Sequence, residues 1–307
     1  KHLAENLDGP VTALELDCSQ DDQVARSLGE ISVVLNTTGP FSRDTMSLMR
    51  TVIEAGVPYA DINDDVETLQ SVFESEYLDS LAKHRGVGVL PGLGASPGQT
   101  NVLCRQLASR MDSVEEVRFF MVNDATYRSE SVWRHRLALF GQPVLLYDGG
   151  RWTQTPGMSE FQDIDFPAPW GSIRCYTVGL ETVTIPTSFA GLRHTSVWRG
   201  FSDPAATDAL KALVDAGFAS DEPVEVDGTP VSPAGMAAAM LARLQPEGAS
   251  ATADRLPRQV RVKGIKDGHP AELTMTYSFP PGDIALATAS CLVVGAGLLV
   301  NRELPGP

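Results

Sequence analysis

Ile31-Ser32-Val33-Val34-Leu35-Asn36-Thr37-Thr38-Gly39-Pro40-Phe41 is the stretch on which the fold turns. Its opening is almost continuously apolar, as in a strand of a parallel sheet covered on both faces. The polarity then changes abruptly, and Gly39-Pro40 forces a sharp turn. From Phe41 the apolar residues fall at 41, 48, 49, 52 and 53, one helical face closed by Gly56.

The same alternation runs outward in both directions. Upstream, Val11–Asp17 reads as a strand, and Ser19 caps a short helix with Asp22 three residues on. Downstream, Val57–Ile62 is a strand, and the segment 64–85 carries Val66, Leu69, Phe73, Tyr77 and Leu81 on one stripe. Val87–Leu90 is a further strand, and Ser96 begins another helix. Parallel neighbours need crossover helices, so the order predicts an α/β, doubly wound parallel sheet. Ligands of such sheets sit outside the carboxyl ends of the strands. That rim holds Asp17, Asn36, Thr37, Thr38, Gly39, Pro40, the segment 61–64 and the segment 92–96.

Beyond Glu115–Val122, one more strand, the character changes. Short strands (144–147, 172–185) and two helices (204–219, 232–244) precede a hairpin over 257–279 that turns at Asp267-Gly268. This is an α+β domain with a mostly antiparallel sheet. Ile284–Val300 is uncharged but rich in small residues, which reads as a buried packing helix, not a membrane span. Domains are expected at 1–122 and 123–280, followed by a terminal helix over 281–307.

Composition narrows the partners. The 307 residues hold 24 Lys+Arg against 39 Asp+Glu, a net charge of −15. Nucleic acid and anionic membranes both need a basic footprint, so neither is expected. The four cysteines and five histidines are scattered, without C-x-x-C or H-x-x-x-H, so no metal site is expected. Free thiols and the lack of a secretory signal fit a reducing, cytoplasmic setting. The sequon Asn36-Thr37-Thr38 ends an apolar run and reads as a buried strand end.

Three readings meet at Gly94-Ala95-Ser96-Pro97-Gly98. G-x-S-x-G is the nucleophile elbow of serine hydrolases, but its oxyanion hole uses the N–H after the serine, and Pro97 has none. Gly92-x-Gly94-x-x-x-Gly98 is a variant of the dinucleotide fingerprint, lacking an acid about 20 residues on. The third reading is a helix cap: Ser96 at N-cap, Pro97 at N1 and Gln99 at N3. Asp61 ends a strand at the rim, where an acid accepts a proton or orients an amine.

Taken in order, three phrases resemble the saccharopine dehydrogenase (saccharopine reductase-like) family. They are Val34-Leu35-Asn36-Thr37-Thr38-Gly39-Pro40-Phe41, Ala55-Gly56-Val57-Pro58-Tyr59-Ala60-Asp61 and Gly94-Ala95-Ser96-Pro97-Gly98-Gln99-Thr100-Asn101. Trp170-Gly171, Tyr176, Glu181, Val226-Asp227-Gly228 and Val231-Ser232-Pro233 extend the likeness over nearly the whole chain. The resemblance implies a Rossmann-type domain that binds NADP or NAD (NADP favoured), and a substrate and dimer domain. It also implies that the terminal helix returns to the first domain. Family members begin with a strand and a G-x-G-x-x-G loop that are not in this sequence. Their absence reads either as a fragment, the favoured expectation, or as a lost cofactor site.

The implied reaction is hydride transfer at a C–N bond of an amino-acid-like small molecule, by a homodimer. Asp17 and Cys18 would lie near adenine, and Asn36 to Pro40 along ribose and nicotinamide. Gly94, Ala95 and Ser96 would lie near the reacting carbon. Asp61 would orient or protonate nitrogen, and Tyr127, Arg128, Tyr176 and Glu181 would touch substrate. The alternatives are a non-catalytic dimeric scaffold and, less favoured, a hydrolase at Ser96.

Overall fold

The computed structural model describes residues 9–39, 41, 43–123, 129–243, 256–279 and 284–304. The chain divides into two units, Lys1–Gly92 with Leu292–Pro307, and Leu93–Cys291.

The first unit is built on three parallel strands, β1 (Val34–Asn36), β2 (Tyr59–Asp61) and β3 (Val89–Leu90), in that spatial order. Helices α1 (Asp21–Ser27), α2 (Arg43–Glu54), α3 (Val66–Phe73) and α4 (Glu76–Arg85) connect them. Side chains alternate across the sheet, as a pleat requires. Tyr59 and Val34 point into a core with Val24, Met49, Val52, Ile53 and Leu78. Ala60, Val33 and Leu90 point the other way, onto Leu292 and Leu299 of the last helix, Ile284–Val300. Strand β2 is therefore covered on both faces, which is why it lacks an apolar–polar alternation, whereas Leu35 of β1 stays 38% exposed.

Several local expectations change. Val11–Asp17 joins no strand; Val11 and Leu14 are 46% and 67% exposed, and no ladder among the described residues pairs with them. A strand needs a neighbour for its N–H and C=O groups, and apolar content alone does not supply one. Ser19 does not cap α1, whose N-cap is Gln20. Ser19 is held by Asp17 instead, donating both N–H (3.0 Å) and Oγ–H (2.7 Å) to Oδ1. The segment 64–85 is two helices, not one, because Ser75 restarts it by accepting the Leu78 N–H.

Among the described residues of the second unit, eight strands form a single sheet, and β10 (Val224–Val226) pairs with β11 (Thr229–Val231) in a separate antiparallel hairpin. The main path of the sheet runs β13 (His269–Phe279), β12 (Leu256–Lys266), β4 (Ser113–Asn123), β9 (His194–Phe201), β5 (Val144–Asp148), β6 (Arg151–Thr155). β8 (Gly171–Val178) also pairs with β9, and β7 (Phe161–Phe166) with β8. Every pairing is antiparallel except β4 with β9. The β12–β13 hairpin turns at Asp267 (φ 52°) and Gly268 (φ 75°), the two left-handed residues of a tight hairpin turn.

On one sheet face lie Val117, Phe119, Val197, Val260 and Val262, all fully buried. On the other, Phe120, Val122, Cys175 and Trp198 pack with Ile164 and Phe166. Helix α6 (Glu130–Gly141), absent from the sequence expectation, sets Trp133 and Phe140 within 6.3 and 6.0 Å of Phe201. The expected helices appear as α7 (Pro204–Asp215) and α8 (Pro233–Leu241). Ser232 caps α8 by accepting the Gly235 N–H at 3.0 Å. No helix among the described residues is long and apolar enough to cross a membrane.

Candidate functional site

The polar residues at the carboxyl ends of β1 and β2 form one buried chain of hydrogen bonds. Thr38 N–H donates to Asn36 Oδ1 (2.9 Å), and Asn36 Nδ2 donates to Tyr59 Oη (2.9 Å). Tyr59 O–H then donates to Asp61 Oδ2 (2.9 Å). Asp61 Oδ1 accepts the N–H groups of Gly92 (2.7 Å) and Asn63 (3.0 Å). Tyr59, Asp61 and Asn63 are wholly buried and Asn36 nearly so. Burial pushes the Asp61 carboxyl above its ordinary value, against the opposing pull of three donors. The same burial, with the neighbouring carboxylate, raises Tyr59. Both ends of the chain are backbone, so the side chains fix the loops that leave β1, β2 and β3.

Beyond Asn36 the rim opens. Thr37, Thr38 and Gly39 are exposed, presenting two hydroxyls at the sheet's carboxyl edge. Asp17 is exposed and Cys18 half-buried; hydrogen bonds from Ser19 hold the Asp17 carboxyl below its ordinary value. Small hydroxyls and an exposed acid suit a ribose and a carboxamide. Pro40, Tyr127 and Arg128 lie outside the described residues.

A second cluster lies inside Leu93–Cys291. The Gly94–Gly98 loop closes on itself, Gly94 N–H donating to Pro97 O (3.0 Å) and Gln99 N–H to Gly94 O (2.9 Å). Only glycine fits at 98: φ is +114°, and a Cβ would stand 2.3 Å from Gly94 O. Helix α5 (Gln99–Ala108) begins two residues later than expected, with Gly98 as N-cap and Asn101 Oδ1 accepting the Gly98 N–H (3.1 Å).

Ser96, not used as a cap, points elsewhere. Its hydroxyl donates to Glu181 Oε1 (2.6 Å) and accepts from Arg199 Nη2 (2.6 Å). Thr100 donates to the same Glu181 oxygen (2.7 Å), and Asn101 Nδ2 to Thr184 Oγ1 (2.6 Å). Two residues expected at the site from distant parts of the sequence, Ser96 and Glu181, are thus in direct contact. The Ser96 hydroxyl is held between a carboxylate and a guanidinium, and Pro97 leaves the loop without the N–H that a nucleophile elbow uses for its oxyanion.

Register extends the cluster across the sheet. Tyr176 on β8, Arg199 on β9, Met121 on β4, Arg258 on β12 and Tyr277 on β13 stand opposite one another in a row. Tyr176, Arg199, Met121 and Arg258 are all buried. Arg258 Nη1 lies 3.9 Å from Met121 Sδ. Burial raises the Tyr277 hydroxyl; Arg258 opposes the shift and Glu181 adds to it, so all three share one electrostatic neighbourhood. Beside Glu181, the Cys104 thiol is pushed up to about 12, chiefly by burial, and is no nucleophile near neutrality.

Thr100, Arg199, Arg258 and Tyr277 were not among the expected site residues. A signal was present for one of them. Arg199 interrupts the apolar run Val197-Trp198-Arg199-Gly200-Phe201, and a guanidinium inside a buried strand is rarely placed without a partner.

No protein-family model matches the chain. Among solved structures it is similar to an amine dehydrogenase from Mycobacterium smegmatis, with 12% identity over 93% of this chain and 77% of that one (TM-score 0.42). It is similar to a meso-dapdh mutant with DAP from Clostridium tetani E88, with 12% identity over 93% and 76% (TM-score 0.44). It is also similar to C. glutamicum DAP dehydrogenase in complex with DAP, with 12% identity over 98% and 80% (TM-score 0.42).

Proposed function

We propose that the chain is an NAD(P)-dependent oxidoreductase acting on a C–N bond, reducing an imine or oxidising a secondary amine of an amino-acid-derived substrate. The observation that carries the reading is the buried chain Asn36–Tyr59–Asp61–Gly92. It shapes three loops at the carboxyl edge of a parallel sheet, where such sheets take ligands. The ordered motifs that resemble the saccharopine dehydrogenase family support the same reading.

In this reading the exposed Thr37, Thr38 and Gly39 meet ribose and nicotinamide, and Asp17 with Cys18 meets adenine. The nicotinamide supplies or takes the hydride; the protein supplies position and charge. Asp61 acts as a positioning residue: its two oxygens already serve three donors and it has no exposed surface. Gly94, Ala95, Ser96, Tyr176 and Glu181, with Arg199, belong to the substrate side. A soluble homodimer in the cytoplasm completes the proposal.

The test is cofactor binding by the full chain, read as quenching or blue-shift of NADPH and NADH fluorescence. Saturable binding of either supports the reading. Absence of binding to both overturns it and leaves the dimeric scaffold as the alternative.

A further inference from the structure

Glu181 is wholly buried, yet only one of its oxygens is satisfied. Oε1 accepts both Ser96 and Thr100 hydroxyls, whereas Oε2 is buried without a hydrogen-bond partner among the described residues. An unmet buried acceptor costs free energy, and a carboxylate oxygen costs more than an amide one. Such a cost persists where a ligand completes the shell.

Glu181 Oε2 is an acceptor, so a ligand that completes its shell donates N–H or O–H. The anchoring of Glu181 makes the choice sharper. Ser96 and Thr100 fix Oε1 at 2.6 and 2.7 Å, and Arg199 fixes Ser96 from β9. With Oε1 held twice, rotation cannot exchange the two oxygens without breaking both bonds. Oε2 therefore keeps a fixed direction, and the remaining lone pairs suit a charged N–H donor best, since charge-assisted hydrogen bonds are the strong ones.

We propose that Glu181 is the amine-binding residue of the substrate site, its Oε2 accepting the N–H of a substrate ammonium or iminium while Ser96, Thr100 and Arg199 position it. The assignment rests on the C–N reading above and adds to it the atom that receives the nitrogen.

The test is calorimetric titration of the full chain, with and without NADPH, using two matched pairs: n-butylammonium against n-butanol, and L-alanine against L-lactate. In each pair the second member replaces the nitrogen by a hydroxyl. The expected result is at least one ammonium probe binding about tenfold or more tighter than its hydroxyl twin, a charged hydrogen bond's worth. Glu181→Gln, which keeps shape and removes charge, is expected to erase that preference. Ammonium probes that do not bind, that bind no better than their twins, or that keep their preference in Glu181→Gln overturn the assignment. Should Glu181→Gln fail to fold by circular dichroism, the wild-type pairs alone decide. Cofactor fluorescence separates the two ideas. Cofactor binding without amine preference removes the Glu181 role and leaves the oxidoreductase reading. Amine preference without cofactor binding does the reverse.

Discussion

Replacing either Tyr59 or Asp61 breaks the chain of hydrogen bonds at the same link, and the two breaks do not add. Tyr59→Phe removes a hydroxyl from a fully buried site and leaves two orphans, Asn36 Nδ2 and Asp61 Oδ2. At about 1–3 kcal/mol for each unmet buried group, less some relaxation, the loss is about 2–4 kcal/mol. Asp61→Asn keeps Oδ1 for Gly92 and Asn63 but turns an N–H toward the Tyr59 hydroxyl, which already accepts Asn36. Its own hydrogen then has no acceptor, for about 1–3 kcal/mol, partly offset because a buried charge is gone. In the double variant no hydroxyl remains for the new amide to oppose. Its cost is close to that of Tyr59→Phe alone, so the coupling is about 1–2 kcal/mol. The assay is urea unfolding followed by far-UV circular dichroism, because the tryptophans (133, 152, 170 and 198) all lie in Leu93–Cys291. Additivity within about 0.5 kcal/mol, or a stabilised Asp61→Asn, refutes the network. The pH dependence has a definite sign. Asp61 is raised in the fold, so from its ordinary pKa up to the folded value the native state holds a proton the unfolded chain has lost. Stability falls as pH rises through that window, and Asp61→Asn removes this component.

Gly98→Ala should cost more than about 2 kcal/mol, since φ +114° and the Gly94 carbonyl at 2.3 Å both oppose a Cβ; a thermal shift under one degree refutes it. Asn101→Ala removes the acceptor of the Gly98 N–H and the Thr184 contact, for about 1–2 kcal/mol in denaturant titration. Ser232→Ala should lose about 1 kcal/mol as a single helix cap, with Ser232→Gly recovering most of it. His194→Ala should change stability by less than about 1 kcal/mol, because its Asp148 partner and His194 itself are both exposed.

The order of elements was legible where the period was long or the turn chemistry strict. The stripe of α2, the capped start of α8 and the Asp267-Gly268 hairpin each carry a local cause written in adjacent residues. The failures have a different origin. Val11–Asp17 has strand composition, but pairing depends on a neighbour distant in sequence. Ser96 satisfies every local rule of a helix cap, yet its hydroxyl lies 2.6 Å from a glutamate 85 residues away. Helix α6 was obscured because Arg134, His135 and Arg136 break its apolar run in the sequence, and Arg136 lies on the buried face itself, although Trp133, Leu137 and Phe140 keep helical spacing. The site was legible as types of residue at a rim; its partnerships, set by register across five strands, were not.

The Asp61–Gly92 bond joins positions 31 apart in the sequence, with two helices and a strand between them. It therefore works as a closure for everything it encloses. Local helix formation cannot make it; it forms only when β2 and β3 are already side by side. The Gly92 amide consequently reports on the assembly of this segment as a whole, and its hydrogen exchange should slow with the cooperative opening of the sheet, not with the fraying of any one helix.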